Sequence, residues 1–296
     1  MEFNTLIDRK AETDRITDAL HRDDTQFIVI YGRRRIGKST LIKHIVNARK
    51  QAVYFLSDTS VEAVQRAAFS KSVAMVIDGF DKVVYPDWES LFRSMNNQLS
   101  ERIIVCIDEF PYLVKSCDVL PSVIQKLLNE KKLKFDLILC GSSQQLMHGY
   151  VLNRQSPLYG LANEIIKMRP IPARYIGEAM ECDAVQAVEE FAVWGGVPRY
   201  WELRRDYPDI ETAIRKVLLD SQGPLIEEPQ RLLRDDMRDT IQASTLLTII
   251  GNGVNKLSEI AARTGKEANS LSEPLAKLRD FGYINREVPF GENPKK

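Results

Sequence analysis

The stretch YGRRRIGKST, residues 31–40, decides the fold, because Gly32 and Gly37 enclose four residues and Lys-Ser follows at once. This is the spacing G-x-x-x-x-G-K-[ST]. The residues before it, QFIVI (26–30), are apolar and β-branched, as in a buried strand. The residues after it, LIKHIVNARK (41–50), carry apolar side chains at helical spacing. The pattern predicts a glycine-rich loop that joins a buried strand to a helix.

The loop contains groups that bind phosphate. Its glycines let the backbone curl so that N–H groups point at phosphate oxygens, and the following helix adds its positive end. Lys38 reaches the β- and γ-phosphates of a nucleotide, where it is also catalytic, and Ser39 offers a hydroxyl to Mg²⁺. The predicted nucleotide-binding residues of the loop are Gly32, Arg35, Ile36, Gly37, Lys38, Ser39 and Thr40.

Three consecutive arginines, residues 33–35, occupy variable positions of the loop. Such positions contribute backbone N–H groups, so their side chains need not touch phosphate. We interpret the side chains of Arg33 and Arg34 as a solvated basic turn.

A second acidic site lies in RIIVCIDEF, residues 102–110, an apolar strand that ends in Asp108 and Glu109. A doubly wound sheet exposes the carboxyl ends of its strands to ligand. Asp108 is therefore predicted to hold Mg²⁺ through water, and Glu109 to polarise the water that attacks the γ-phosphate. Acidic residues also end strands for solubility, but the phosphate loop upstream favours the catalytic interpretation.

The strand DLILCGSS, residues 136–143, ends in two serines, Ser142 and Ser143. A hydroxyl at this position can sense the γ-phosphate, and we assign that catalytic role to Ser143. The same Gly-Ser-Ser sequence is also common in ordinary turns.

Five short apolar runs alternate with amphipathic stretches in the first part of the chain. Continuous apolar strands indicate burial on both faces of a sheet. We predict an α/β fold: a three-layer P-loop NTPase domain with a mostly parallel sheet (1–171), a helical lid (172–236) and a winged helix-turn-helix domain (237–296). In the last domain the second helix is expected to begin at Ser272, and YINREV (283–288) to form a strand.

The charge balance limits the interaction with nucleic acid. Lys and Arg number 41, as do Asp and Glu, so the whole chain has no net attraction for DNA. Residues 252–296 carry eight basic and six acidic side chains, a small excess. DNA contact by the winged helix and packing of that domain against the nucleotide-binding domain both remain open.

The cellular location of the protein and the state of its cysteines are predicted from simpler features of the sequence. No apolar run reaches the roughly 18 residues of a membrane span, and residues 1–16 lack the layout of a signal peptide, so we expect a cytoplasmic protein without a membrane partner. The four cysteines show no CxxC spacing and the three histidines are scattered. We expect the cysteines to be reduced packing residues.

Six motifs together resemble the archaeal-type P-loop ATPases that lie between the AAA+ and STAND groups. They occur in the family's order over nearly the whole chain. They are FNTLIDRKAETDRI (3–16), YGRRRIGKSTLI (31–42), IIVCIDEFPYL (103–113), LILCGSS (137–143), SPLYG (156–160) and WGGVPRYW (194–201).

The resemblance implies a strand between the two strands that carry the Walker motifs, and a lid and winged helix near the nucleotide. It implies that residues 7–9, including Arg9, lie beside the adenine, and that Pro198 lies in the lid over the base or ribose. Members commonly continue into a nuclease-like domain, which would follow residue 296; these residues supply no nuclease chemistry.

One departure from the family concerns catalysis. Members usually carry an arginine directly after PLYG, where this chain has Leu161. The charge-neutralising arginine is therefore unassigned, and the nearby candidates are Arg154, Arg169 and Arg199.

The sequence thus predicts a Mg²⁺-dependent protein that binds and hydrolyses ATP, releases ADP, and uses ATP as a conformational switch coupled to DNA or a protein partner. Slow turnover is expected unless a neighbouring copy in a homo-oligomer supplies an arginine. The alternative is a DNA-binding regulator that senses ATP with little hydrolysis.

Overall fold

The computed structural model describes residues 6–49, 51–237, 239–288 and 291. Within them one five-stranded sheet forms, and its strands are β1 (Phe27–Tyr31), β2 (Ala52–Leu56), β3 (Ile103–Asp108), β4 (Phe135–Gly141) and β5 (Glu164–Lys167). The strand order is β2-β3-β4-β1-β5, with parallel pairing throughout. Strand β4 lies between β1, which precedes the glycine-rich loop, and β3, which ends in Asp108, as the resemblance implied.

Both faces of the sheet are buried, which confirms the predicted three-layer α/β fold. In β1, Phe27 and Val29 pack into one apolar core, whereas Ile28 and Ile30 pack into another on the opposite face. This alternation is the period-2 geometry of a strand covered on both sides. The covering helices are α1 (Lys10–Leu20), α2 (Lys38–Asn47), α3 (Glu62–Ala74), α4 (Trp88–Gln98), α5 (Phe110–Ser116), α6 (Leu120–Asn129) and α7 (Gln144–Met147), with a 3₁₀ turn (Phe80–Lys82) and a π-helical turn (His148–Leu152).

A helical module follows β5 and belongs to the same compact unit, which extends to Ile226. Its core is built around Trp194 and Trp201. Gly196 accepts a hydrogen bond from Ile171 N at 2.7 Å, and a Cβ on Gly196 would lie only 2.0 Å from Ile171 O. The module is therefore tightly joined to the segment after β5. Its helices are α8 (Ile176–Met180), α9 (Ala184–Trp194), α10 (Pro198–Arg205) and α11 (Ile210–Ala213), with a 3₁₀ turn (Ala173–Tyr175) and a π-helical turn (Ile214–Leu219).

The chain divides into two compact units between Ile226 and Glu227, ahead of the boundary predicted at residues 236 and 237. The reason is that Leu233 and Met237 pack into the second unit's own core. The division into three domains stays a prediction. The helices of the second unit are α12 (Glu228–Asp236), α13 (Thr240–Gly251), α14 (Leu257–Thr264) and α15 (Ala268–Asp280).

The second unit differs from the sequence prediction in two places. Helix α15 begins at Ala268 and not at Ser272, so Pro274 lies inside the helix, where it leaves the carbonyl of Ser270 without its usual donor. Residues 283–288 form no strand, because the described part of this unit contains no other strand to pair with them. The order α14, Gly265 turn, α15 is that of a helix-turn-helix, and the wing remains a prediction.

None of the helices within the described ranges combines the length and apolarity needed to cross a lipid bilayer.

Candidate functional site

An open cavity of about 1060 Å³ lies in the first unit, at the carboxyl ends of the parallel strands. It brings together most of the residues selected from the sequence. Gly32, Asp108 and Ser143 do not line it directly. The predicted residues that do are Arg9, Arg35, Ile36, Gly37, Lys38, Ser39, Thr40, Glu109 and Pro198.

The glycines of the loop adopt angles that only glycine adopts readily. Gly32 has φ +150° and Gly37 has φ +92°. At Gly32 an added Cβ would lie 2.5 Å from Met168 O, because β5 runs directly beside β1. At Gly37 nothing lies within 4 Å of an added Cβ, so the backbone angle alone requires glycine there. The loop is a cradle whose backbone faces open space at the start of α2.

We expect Gly32→Ala to lower the free energy of unfolding by about 1–3 kcal/mol, since the new methyl group must displace a backbone carbonyl. Gly149→Ala is the matched control, because Gly149 is exposed in a helical turn with nothing within 4 Å of its added Cβ. Urea unfolding followed by circular dichroism measures both. Equal stability of the two variants would contradict the packing seen at Gly32.

Lys38 begins α2 and is only 5% exposed. Its Nζ donates to Gly32 O at 2.9 Å and to Arg33 O at 2.7 Å. Burial lowers the pKa of Lys38, and the nearby carboxylates of Glu109 and Asp108 offset part of this effect. The ammonium group is thus desolvated inside the loop, where phosphate oxygens would bind it more strongly than neutral carbonyls do.

Asp108 ends β3 and is completely buried. Its Oδ2 accepts a hydrogen bond from Tyr54 Oη at 2.8 Å, and its Oδ1 accepts one from Glu109 N at 2.9 Å. Burial, followed by the charge of Asp108, raises the pKa of Tyr54, which keeps this phenol a donor. Asp108 is therefore oriented through both carboxylate oxygens, and its role in holding Mg²⁺ through water stays a prediction.

Glu109 follows β3 with φ +53°, a left-handed conformation that is unfavourable for a residue with a Cβ. Its Oε2 accepts from Ser142 N at 3.1 Å and from Ser142 Oγ at 2.9 Å. The strained backbone turns the carboxylate toward the end of β4 and into the cavity wall.

The structure brings Ser142, and not Ser143, to the cavity. Ser142 is buried and bonds to Glu109, whereas Ser143 Oγ accepts from Leu146 N at 3.3 Å and caps α7. The role assigned to Ser143 stays a prediction. In the sequence, two adjacent serines gave no signal for choosing between them.

Sequence reasoning missed the side chain of Arg34, which lines the cavity. Its Nη2 donates to Tyr112 Oη at 2.7 Å, and its Nε lies 3.4 Å from Ser142 Oγ. The run of three arginines was a visible signal, but the spacing does not tell which side chain turns inward. Residues 56–59, at the carboxyl end of β2, also line the cavity and could have been found from that position in the sheet.

Arg9 is 3% exposed and is hydrogen-bonded both to the glycine-rich loop and to the segment after β5. Its Nη2 donates to Ile36 O and Arg169 O, both at 2.8 Å. Its buried Nε has no hydrogen-bond partner among the described residues. Arg9 is a lining residue of the cavity, and a buried donor without a partner among the described residues fits a ligand with acceptor atoms, such as a nucleotide base or ribose.

The arginines considered as charge-neutralising candidates are placed differently. Arg199 lines the cavity and pairs with Glu202 at 2.9 Å, whereas Arg154 and Arg169 do not line it. Leu161 packs against the apolar core on one face of the sheet.

Comparison with known proteins agrees with this geometry. A family model described as an ATPase domain predominantly from Archaea matches residues 6–190. The chain belongs to this archaeal-type ATPase family. The matched range covers the sheet, the phosphate loop and Glu109, and with them most of the residues that line the cavity.

Other proteins are similar to this archaeal-type ATPase over its length. MJECL04 of Methanocaldococcus jannaschii is 31% identical over 297 residues, 98% of this chain and 64% of that protein, so the chain spans less than two thirds of its relative. Thermotoga maritima RuvB, a Holliday junction branch migration motor, is 18% identical over 96% of this chain and 90% of that chain, with a TM-score of 0.45. The Aeropyrum pernix ORC1 protein in complex with DNA is 16% identical over 98% and 87% of the two chains, with a TM-score of 0.46.

Proposed function

We propose that this chain is a Mg²⁺-dependent ATPase that hydrolyses ATP in the cavity beside α2. The observation that carries the proposal is the convergence of Lys38, Glu109 and Ser142 on one open site at the carboxyl edge of the sheet. The loop backbone and Lys38 would bind the phosphates, and Arg9 and Pro198 would lie beside the base and ribose.

The donor set fits a magnesium ion. Ser39 lines the cavity and would hold Mg²⁺ through its hydroxyl, and Asp108, which precedes the lining residue Glu109 and does not itself line the cavity, would hold it through water; the ion would neutralise phosphate charge when bound. Tyr54 would orient Asp108 for this task, because its hydroxyl donates a hydrogen bond to one of the carboxylate oxygens.

The chemistry follows from the position of Glu109 beside Ser142. Glu109 orients a water molecule and accepts its proton as the water oxygen attacks the γ-phosphorus. As the new P–O bond forms, the bond from the γ-phosphorus to the bridging oxygen breaks and its electron pair stays on ADP. Lys38 stabilises the charge on the transferred group, so positioning and electrostatics supply the catalysis.

The proposal includes a switch. Arg9 connects the loop at Ile36 to the segment at Arg169, and Gly196 joins that segment to the helical module. Nucleotide that bonds to Arg9 and the loop would therefore bias the arrangement of this module.

Phosphate release from MgATP by the purified chain tests the function. We expect multiple turnovers that stop when EDTA removes divalent cations and return when excess Mg²⁺ is added. Turnover that persists in EDTA would contradict the metal requirement. Absence of turnover together with tight ATP binding would favour a nucleotide sensor over an ATPase.

A second candidate is a DNA-binding regulator that senses ATP with little hydrolysis, and the order α14, Gly265 turn, α15 favours it. The basic side chains of α15 weaken it, since Lys277 pairs with Glu273 at 2.6 Å and Arg279 with Asp280 at 3.2 Å. A phosphate contact would have to replace these pairs. Fluorescence anisotropy with duplex DNA tests this candidate. Binding at low salt that weakens steeply as salt is added would support it, and absence of binding at low salt would contradict it.

A further inference from the structure

We propose that Arg34 is the arginine that neutralises the γ-phosphate during hydrolysis, and that the phosphate loop supplies it within the same chain. The inference rests on the proposed ATPase function and deepens it. Leu161, which stands where the resemblance places an arginine, packs against an apolar core and supplies no charge.

The position of Arg34 carries the proposal. It lies two residues after Gly32 in the loop and lines the cavity together with Glu109, Tyr112 and Ser142. Its guanidinium bonds to Tyr112 Oη at 2.7 Å and approaches Ser142 Oγ at 3.4 Å. Ser142 Oγ in turn donates to Glu109 Oε2 at 2.9 Å. A chain of hydrogen bonds thus leads from the guanidinium to the proposed base.

The charges of the loop agree with this position. Lys38 and Arg34 both line the cavity, so one loop presents two cationic side chains to it. A γ-phosphate bound between them would accept hydrogen bonds from both groups.

The chemistry of the side chain suits the role. A guanidinium presents a rigid fork of donors that matches phosphate oxygens, and the hydroxyls of Tyr112 and Ser142 hold that fork ready. When the γ-phosphate binds, its oxygens replace these hydroxyls as acceptors for Arg34. The guanidinium then stabilises the negative charge on the three γ-oxygens while the bond to the bridging oxygen breaks.

The three arginines named earlier as candidates fit less well. Arg199 already pairs with Glu202, and Arg154 and Arg169 lie outside the cavity lining. Of these residues, Arg34 alone bonds to the serine that also holds Glu109. A consequence is that one copy of the chain contains the complete charge set, without an arginine from a neighbour.

Arg34→Ala tests the proposal. We expect kcat for MgATP to fall by about 100-fold or more, because an arginine of this kind contributes about 10³–10⁵ in known phosphoryl-transfer enzymes. Affinity for ADP, which lacks the γ-phosphate, should change less than about threefold. Trapping of ADP with aluminium fluoride, which mimics the transferring group, should be lost, and Arg34→Lys should restore part of the rate.

Arg33→Ala is the control for charge, since it removes an equal charge from the same loop and Arg33 does not line the cavity. We expect a clearly smaller loss of kcat and intact trapping. The proposal is overturned if the two variants lose rate equally, or if Arg34→Ala still traps ADP with fluoride.

Two further readouts separate the possible failures. If the wild type does not turn over, the ratio of affinities for β,γ-imido-ATP and ADP still tests Arg34: an unchanged ratio in Arg34→Ala refutes the contact with the γ-phosphate. Mixing Arg34→Ala with Lys38→Ala tests the source of the arginine. The second variant carries an intact Arg34, so recovery of turnover in the mixture would show that a neighbouring copy supplies it.

Discussion

Lys38→Ala is expected to reduce the affinity for both ATP and ADP by about 100-fold or more. The ammonium group is buried in the loop, where it meets the carbonyls of Gly32 and Arg33. Loss of a charge-assisted contact in a desolvated site costs about 2–5 kcal/mol, and about 2.7 kcal/mol corresponds to 100-fold. Isothermal titration calorimetry with MgATP and MgADP measures the effect.

The control for Lys38→Ala is Lys71→Ala, which removes a lysine exposed on α3. It should bind nucleotide like the wild type. Thermal unfolding of both variants shows whether the fold is kept. If Lys38→Ala binds ATP with unchanged affinity, the assignment of the phosphate loop is wrong.

Glu109→Gln is expected to keep nucleotide binding and to lose turnover by about 100-fold or more, the range of a general base. The amide has the same shape as the carboxylate, and its oxygen can still accept from Ser142 N and Oγ. The fold and the cavity should therefore remain, while the group that accepts the proton is removed. Single-turnover phosphate release, combined with calorimetry, separates chemistry from binding.

Glu178→Gln is the matched control, because Glu178 is exposed on α8 and does not line the cavity. Its turnover should equal that of the wild type. Undiminished turnover in Glu109→Gln would assign the base to another residue, and loss of binding would show that the carboxylate supports the site structurally.

The strands and the phosphate loop were predictable because their signals are local. Five apolar runs gave five strands, and the spacing from Gly32 to Lys38 identified the loop before any contact was known. The start of α15 was not predictable in this way. Pro274 disfavours a helix interior, yet packing of Leu271 and Leu278 in the second core outweighs that local cost.

The finer assignments in the site depend on side-chain direction, which spacing does not specify. Ser142 and Ser143 are adjacent, and the path of the chain after β4 turns only Ser142 toward Glu109. Arg33 and Arg34 have the same charge, and the curl of the loop sends Arg34 into the cavity. These choices require the tertiary structure.

The left-handed backbone at the site has a consequence for protein engineering. Among the described residues other than glycine, six have positive φ, and Arg9, Arg35 and Glu109 line the cavity, with Asp8 beside Arg9. Each such residue costs about 1 kcal/mol or more in backbone conformation, which its surroundings must offset. Glycine would relieve that strain, but at Arg9 and Glu109 it would also remove side chains that are hydrogen-bonded across the site. A glycine substitution here therefore exchanges backbone strain for lost contacts, and a thermostabilised variant of this ATPase must be screened for turnover at every round.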